Sequence, residues 1–390
     1  MSEFNISQKK VSDLQKRYEV KTNERELKYF LKSFAFLVLA LMSVYHFYAS
    51  GFGTIREILH RGIHISFVVG LVFIFYSWKK IDHSKKNFNT PFIDIILSIL
   101  VVISALYLPL LPPEVLAPRV GNPENIDIIM GSFLIVLTLE AARRSIGFTL
   151  PFICVLFILF AIFGPYFPGA LKHGGASWVG FVNHIYLTNQ GIYGIAVGVM
   201  AQYVFLFILF GVLATRIGLG QLFIDLAMVI AGKYSGGPAK VAIFSSAFLG
   251  TISGSSIANT VTTGSLTIPA MKKVGYPPHF SGAVEATAST GGQITPPILG
   301  AAAFIMVEYL EVPLRDILAA ALIPALLHYF GIFIMVHLEA KKLGLRGLTN
   351  EEMPKFLSVV KDNWLSLAPL ILLVYLILIG RTPDLSLIHI

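Results

Sequence analysis

The chain has 390 residues, of which 55% are hydrophobic and only 13% are charged, and its mean hydropathy is +0.73. This composition lies far outside the range of soluble globular domains and indicates a membrane protein. The formal net charge of +8 does not predict a nucleic-acid partner, because the basic residues are spread between apolar segments instead of forming one patch.

Apolar segments of bilayer length recur along the chain. A helix needs about 20 such residues to cross about 30 Å of hydrocarbon, and lipid-exposed backbone must satisfy its own hydrogen bonds. The alternating short strands of a porin-like barrel do not occur in the sequence. We therefore predict an all-α polytopic membrane protein with about nine transmembrane helices. The segments are 31–49, 62–78, 91–111, 126–142, 146–168, 191–215, 279–310, 315–338 and 363–380.

The basic residues predict the orientation of these spans. If the N-terminus is cytoplasmic and each span reverses the side, 24 of the 30 Lys and Arg residues lie inside and 6 lie outside. This is the positive-inside bias, and it requires that residues 219–273 return to the side they left. The first 30 residues carry both charge signs and no apolar core, so we expect a retained anchor in a bacterial inner membrane. A lone cysteine, Cys154, excludes an internal disulfide framework.

The first 145 residues and the rest of the chain differ in the composition of their apolar segments. Residues 1–145 contain four plain spans, and we expect them to form a four-helix membrane domain whose Glu140 pairs with Arg143 and Arg144. From residue 146 onward, Gly, Pro and polar side chains enter the apolar segments, so residues 146–390 are predicted to form a second domain.

Within residues 237–271, residues 238–252 and 256–271 form two apolar arms, and the stretch "GTISGSSIANTVTTGS" covers the junction between them. Each arm is too short to cross a bilayer, so the pair predicts a re-entrant hairpin with "SGSS" at its tip. Single Ser and Thr residues in membrane helices often only bond their own backbone, which is the alternative interpretation of these hydroxyls.

A second interruption, "GGQITPP", divides the apolar segment 279–310 and predicts a broken helix. Unwound carbonyls and a half-helix N-terminus suit a small hard cation and an anion, respectively. The two breaks together predict a binding site at the membrane midplane. Glu285, in the first half-helix, is costly there unless partnered, and it is interpreted either as a proton-coupling group or as a structural partner of a hydroxyl or amide.

Three stretches closely resemble the large membrane subunit of tripartite ATP-independent periplasmic (TRAP) transporters, in the arrangement of the TAXI-type fused permeases. They are "LTNQGIYGIAVGVMAQYVFLFILFGVL", "GGPAKVAIFSSAFLGTISGSSIANTVTTGSLTIPAMKKVGYPP" and "AVEATASTGGQITPPILGAAAFIM". The resemblance covers about residues 146–340, and residues 1–145 are similar to the small four-helix subunit fused ahead of it.

The resemblance implies a permease of the elevator type that takes up organic acids, delivered by a periplasmic TAXI-type substrate-binding protein and driven by a Na⁺ or H⁺ gradient. It implies no enzymatic activity and no cofactor beyond the coupling ion. The implied substrate- and ion-binding residues are Ser253, Gly254, Ser255, Ser256, Asn259, Gly291, Gly292, Thr295 and Pro296, with Glu285 as a possible coupling group. The Na⁺ candidates among them are Ser255, Asn259, Gly291 and Thr295.

The sequence departs from this family in one respect. The family has a second, inverted copy of hairpin plus broken helix, whereas only one copy is found here, so we expect the missing C-terminal half of the large subunit as a partner and no transport by this chain alone. Two other functions stay open: a sodium-coupled anion transporter of a related hairpin type without a binding protein, and an intramembrane serine protease using His328 as base. No G-x-x-x-x-G-K-[ST] or H-E-x-x-H motif occurs, which argues against a pump ATPase and a metalloprotease.

Overall fold

The computed structural model describes residues 22–25, 27–53, 56–81, 91–349 and 351–390. The chain divides into two compact units, the first within residues 1–45 and 54–198 and the second within residues 46–53 and 199–390. Helices dominate both units in the described ranges. The described strands are β1 (Thr22–Glu24) and β2 (Tyr76–Ile81), which pair antiparallel with Thr22 opposite Ile81.

The first unit is built from apolar helices joined by short turns. Its long helices are α1 (Tyr29–Phe52, whose last turns belong to the second unit), α2 (Glu57–Phe75), α3 (Phe92–Leu110), α4 (Asn125–Ser145) and α5 (Thr149–Ile162). Shorter helical segments are Pro113–Leu116, Ala117–Arg119, Gly164–Tyr166, Gly169–Leu171, Trp178–Val182 and Asn183–Leu187.

The second unit contains the interrupted segments. Its helices are α6 (Ile195–Arg216, which begins in the first unit and includes a π-helical turn), α7 (Leu219–Ala231), α8 (Gly237–Ser253), α9 (Ser256–Val274), α10 (Pro278–Thr290), α11 (Ala301–Leu310), α12 (Leu314–Lys342), α13 (Phe356–Asn363), α14 (Ala368–Leu378) and α15 (Pro383–His389). Two 3₁₀ segments are Gly291–Ile294 and Trp364–Leu367.

Six described helices, α1, α2, α3, α4, α6 and α12, are long and apolar enough to cross a membrane. The prediction of an all-α polytopic membrane protein is therefore confirmed. Two predicted spans are shorter than the sequence suggested. The apolar run 146–168 forms α5 with only 14 residues, because Gly164 and Pro165 end it, and the run 363–380 begins as a 3₁₀ turn before α14.

Buried charges in the first unit are compensated by ion pairs. Asp94 on α3 accepts from Arg144 of α4, with 2.8 Å between Oδ1 and Nη1, and also pairs with Arg25 next to β1. Glu140 lies 2.7 Å from both Arg143 Nε and Arg144 Nε, which confirms the predicted pairing. Because the Asp94 and Arg144 side chains are each only 2% exposed, this network ties β1, α3 and α4 together away from solvent.

Asp94→Asn tests this network. The substitution leaves two buried guanidinium groups with too little negative charge, so we expect the free energy of unfolding in detergent to fall by about 3–5 kcal/mol. Glu57→Gln is the matched control, since Glu57 pairs with Arg61 but its side chain is 74% exposed, and its effect should stay below about 1 kcal/mol. An equal decrease in the free energy of unfolding for the two variants would contradict a structural role for the buried ion pairs.

Candidate functional site

Helices α8 and α9 form a hairpin with a two-residue tip. Gly254 adopts left-handed backbone angles (φ 57°, ψ 3°) that end α8, a conformation that favours glycine. Ser255 then caps α9, because its Oγ accepts a hydrogen bond from the N–H of Ala258 at 3.3 Å. The polar tip that was predicted from the sequence is therefore built by helix capping.

The two open ends of this hairpin lie against the segments 343–349 and 351–355. Ahead of α8, the N–H of Leu348 donates to the carbonyl of Gly232 at 2.7 Å. At the end of α9, Lys273 Nζ lies 3.5 Å from Glu352 Oε1. Hydrogen bonds from Arg346 and from the N–H of Thr349 lower the pKa of Glu352 to about 2, so its carboxylate keeps these contacts until the pH falls toward that value. The chain thus enters and leaves the hairpin at the same end.

The segment after the hairpin is a broken helix. Helix α10 ends at Thr290, a 3₁₀ turn follows, and α11 starts only at Ala301. The peptide between Pro296 and Pro297 is cis, and the N–H of Gly300 donates to the carbonyl of Gln293 at 2.7 Å across the break. Two prolines without N–H groups prevent a continuous helix here.

The hairpin tip and the break touch backbone to backbone. A Cβ atom on Gly254 would lie 2.1 Å from the carbonyl oxygen of Leu299, and one on Gly250 would lie 2.6 Å from the Cα atom of Gly292. Only glycine allows either approach. A side-chain hydrogen bond of 3.0 Å from Gln293 Nε2 to Ser256 Oγ joins the same two elements.

A cavity of about 490 Å³ opens at this contact. The tip supplies Ser253, Gly254 and Ser255, and the break supplies Gln293 and the start of α11. Apolar side chains of α6 and α12 complete the wall, and none of its described lining residues is charged. A pocket of this volume with a few polar groups at one side fits a small organic ligand.

The structure divides the predicted site residues into two groups. Ser253, Gly254 and Ser255 line the cavity, and Ser256 bonds to the cavity residue Gln293. The other predicted residues lie in the packed contact between helices. There, Thr295 Oγ1 donates to the carbonyl of Gly291 at 2.7 Å and lies 3.0 Å from the hydroxyl of Tyr329 on α12. This second group is Asn259, Gly291, Gly292, Thr295 and the partly buried Pro296.

Asn259 carries the clearest sign of a missing partner. Its side chain is 1% exposed, and its Nδ2 donates to the carbonyl of Ser246 at 2.8 Å. Its Oδ1 has no hydrogen-bond partner within the described part of the chain. A buried acceptor without a donor costs free energy, so this oxygen is well suited to meet a cation.

Glu285 is fully buried on α10 and is surrounded by hydroxyl groups. Thr263 donates to Oε1 and Thr267 donates to Oε2 from α9. Ser246 of α8 and Ser289 of α10 lie 3.3 and 3.2 Å from Oε1. Of the two interpretations made from the sequence, the contact with hydroxyls is present. These four residues, together with Glu285, are called the hydroxyl cage below.

Several of these contacts were not predicted from the sequence. Gln293 lies within the predicted break, but the sequence indicates no role for it. The sequence pattern around Tyr329 does not predict its contact with Thr295 either. One sequence pattern does indicate the cage, because the polar residues Asn259, Thr263 and Thr267 recur every four residues and therefore share one face of α9.

Six apolar helices of membrane length and a cavity between two helix breaks are the features of a helical membrane transport protein. Residues 133–385 match the family described as the tripartite ATP-independent periplasmic transporter, DctM component. Because this match covers more than half of the chain, the chain belongs to that family. The family is a transporter permease component and not an enzyme.

Similar proteins carry the same family name. The chain is 30% identical over 174 residues to the isethionate TRAP transporter permease protein DctMQ of Oleidesulfovibrio alaskensis, over 43% of this chain and 26% of that protein. It is 28% identical over 162 residues to the C4-dicarboxylate TRAP transporter large permease protein DctM of Pseudomonas aeruginosa, over 40% of this chain and 37% of that protein. It is 26% identical over 168 residues to the sialic acid TRAP transporter permease protein SiaT of Haemophilus influenzae, over 43% of this chain and 27% of that protein. The chain therefore spans less than half the length of each of these relatives.

Gly254→Ala tests the contact between tip and break. The added methyl group would strain the left-handed backbone by about 1–2 kcal/mol and also strike the Leu299 carbonyl, so we expect a clear loss of thermal stability and faster hydrogen exchange at the tip. Gly331→Ala on α12 is the matched control, because nothing lies within 4 Å of its added methyl group. An unchanged exchange rate at residues 253–256 in Gly254→Ala would contradict the close contact.

Proposed function

We propose that this chain is the permease component of a secondary active, binding-protein-dependent transporter that takes up organic acids with a cation. The observation that carries the proposal is the cavity at the hairpin tip, together with the buried Oδ1 of Asn259 on α9, which has no hydrogen-bond partner in the described part of the chain. The names of two relatives, which give C4-dicarboxylate and sialic acid, support a carboxylate as the substrate class.

A carboxylate in this cavity would be held by backbone groups. The described cavity wall offers no basic side chain, but α11 begins there at Ala301 and its N-cap residue, Gly300, supplies no side-chain hydrogen bond. Free N–H groups and the positive end of a helix dipole favour an anion at such a position. Ser253 and Ser255 would add hydroxyl contacts.

The coupling cation is proposed to be Na⁺, bound at Asn259. Its Oδ1 is a neutral oxygen ligand, which allows an ion to bind and still be released. Ser255, Gly291 and Thr295 are the further candidate ligands, although the hydroxyl of Thr295 and the carbonyl of Gly291 already bond to each other. Because Thr295 donates its hydrogen in that bond, the lone pairs of its oxygen and the second lone pair of the Gly291 carbonyl stay available to an ion.

The remaining components follow from the same proposal. The substrate would be delivered by a periplasmic binding protein of the TAXI type, and residues 1–145 would serve as a fused small subunit. The rest of the large subunit would complete the transport unit, which lies in a bacterial inner membrane with the N-terminus in the cytoplasm. Residues 237–271 would enter and leave on the cytoplasmic side. This agrees with the contacts of Leu348 with Gly232 ahead of α8 and of Glu352 with Lys273 in the last turn of α9.

Asn259→Ala tests the cation site in the chain reconstituted with its transporter partners. Loss of one oxygen ligand is expected to cost about 1–3 kcal/mol, which corresponds to a roughly 5- to 150-fold weaker Na⁺ affinity. Uptake of the organic acid should then require more Na⁺ for half-maximal rate, and high Na⁺ should restore it.

Ser265→Ala is the matched control, because Ser265 is exposed on the same helix and its hydroxyl donates to the carbonyl of Thr262. The cation assignment is wrong if Asn259→Ala and Ser265→Ala show the same Na⁺ dependence, or if uptake by the parent protein does not depend on Na⁺.

Cysteine labelling tests the cytoplasmic opening of the hairpin. Positions 234 and 273 are suitable because both side chains are exposed, at 53% and 75%, and Cys154 is first replaced by Ser. An impermeant reagent added outside intact cells should label neither Tyr234→Cys nor Lys273→Cys, whereas it should label both in inverted vesicles. Labelling of either position from outside would disprove the proposed orientation.

A further inference from the structure

We propose that Glu285 in the hydroxyl cage is a proton-binding site, separate from the cation site at Asn259. Proton binding by Glu285 does not depend on the proposed function, whereas the use of this proton as a coupling ion does. The carboxyl group takes up one proton on an oxygen atom and later returns it to water, and no other bond is formed or broken.

The Glu285 side chain is buried without a counter-charge in the described part of the chain. Glu285 is 0% exposed, and within the described part of the chain no basic side chain forms an ion pair with it. An isolated carboxylate is costly in such a place unless it gains a proton, a cation or enough hydrogen bonds. The buried Asp94 differs, because two arginines neutralise it.

The hydroxyl cage can stabilise Glu285 in both of its charge states. When Glu285 is ionised, the hydroxyls of Thr263 and Thr267 on α9 and of Ser246 and Ser289 can all donate to it. This arrangement stabilises the carboxylate without any fixed positive charge.

When Glu285 is protonated, two of these hydroxyls have another acceptor. Thr263 Oγ1 lies 2.8 Å from the carbonyl oxygen of Asn259, and Thr267 Oγ1 lies 3.0 Å from the carbonyl oxygen of Thr263. Either hydroxyl can turn its hydrogen toward that carbonyl and offer a lone pair to the carboxylic acid. Proton uptake therefore needs only hydroxyl rotations, and no buried donor is left without an acceptor.

The other titratable groups on the helices that pack against α10 either contact residues outside the hydroxyl cage or lie several residues away from it along their helix. Lys240 of α8 contacts His337 of α12 at 3.0 Å and is six residues from Ser246, about 9 Å along the axis. His328 of α12 contacts the carbonyl of Thr287 at 3.0 Å. The hydroxyl of Tyr329, in the middle of α12, lies 3.0 Å from Thr295 Oγ1. The remaining groups lie in the end turns of these helices: Lys272 and Lys273 of α9, His279 of α10, and Arg315, Asp316, Glu339, Lys341 and Lys342 of α12.

The test is infrared difference spectroscopy of the full chain in lipid vesicles, between alkaline and acidic pH. Protonation of any carboxyl group creates a carboxylic acid C=O band, and we expect the band of the parent protein to contain a component from a carboxyl group shielded from water that Glu285→Gln lacks. Glu308→Gln is the matched control, since Glu308 is an exposed glutamate on α11, and it should keep this component. Persistence of the component in Glu285→Gln, or its absence from the folded parent protein, would overturn the proposal.

Thr267→Val keeps the test decisive if Glu285→Gln does not fold. Valine preserves the shape of threonine but removes the hydroxyl next to Oε2, so the carboxylic acid loses a hydrogen-bond partner and its C=O band should move to a different frequency. A purely structural cage would show no such shift. The measurement involves no transport, so failure of the proton site leaves Na⁺-driven uptake untouched, and failure of uptake leaves the proton site standing.

Discussion

The close approach of two backbones, at the hairpin tip and at the helix break, is the constraint on which the second unit depends. Gly254 meets the carbonyl of Leu299, and Gly250 meets Gly292, at distances that exclude a Cβ atom on either glycine. Such an approach brings two interrupted helices together, and both interruptions leave polar backbone that a continuous helix would satisfy internally. The cavity and the unpartnered oxygen of Asn259 lie beside this contact. The site is therefore a consequence of where the glycines and prolines stand.

Buried charge is handled differently in the two units. In the first unit, Asp94 is neutralised by arginines, which is the arrangement expected of a fixed structural element. In the second unit, Glu285 is surrounded by neutral hydroxyls from three helices. An element that binds and releases ions must tolerate a change of charge, and neutral donors that can reorient provide that tolerance where a fixed ion pair would not. The contrast supports the proposal that ions bind in the second unit.

Apolar length and Gly/Pro interruptions were sufficient to predict the helical membrane class, the pair of arms around residues 254–255 and the break between residues 290 and 301. Helix ends were less predictable, as α5 shows, because Gly164 and Pro165 stop it inside a continuous apolar run. The partners of Glu285 could not be predicted from the sequence, since three of the four lie 18 to 39 residues away along the chain and only tertiary packing brings them together. For the same reason, the contact of Thr295 with Tyr329 could not be foreseen. The predicted ligand set stays a prediction, with Asn259 as its best-supported member.

Transport as proposed here depends on a cation bound at the buried oxygen of Asn259, where the hairpin meets the broken helix. Density maps of the protein in sodium chloride and in choline chloride would reveal this ion. We expect an ion in contact with Asn259 Oδ1 in sodium chloride that is absent in choline chloride. The same occupant at Oδ1 in both salts, whether a protein N–H group or a water molecule, would contradict it.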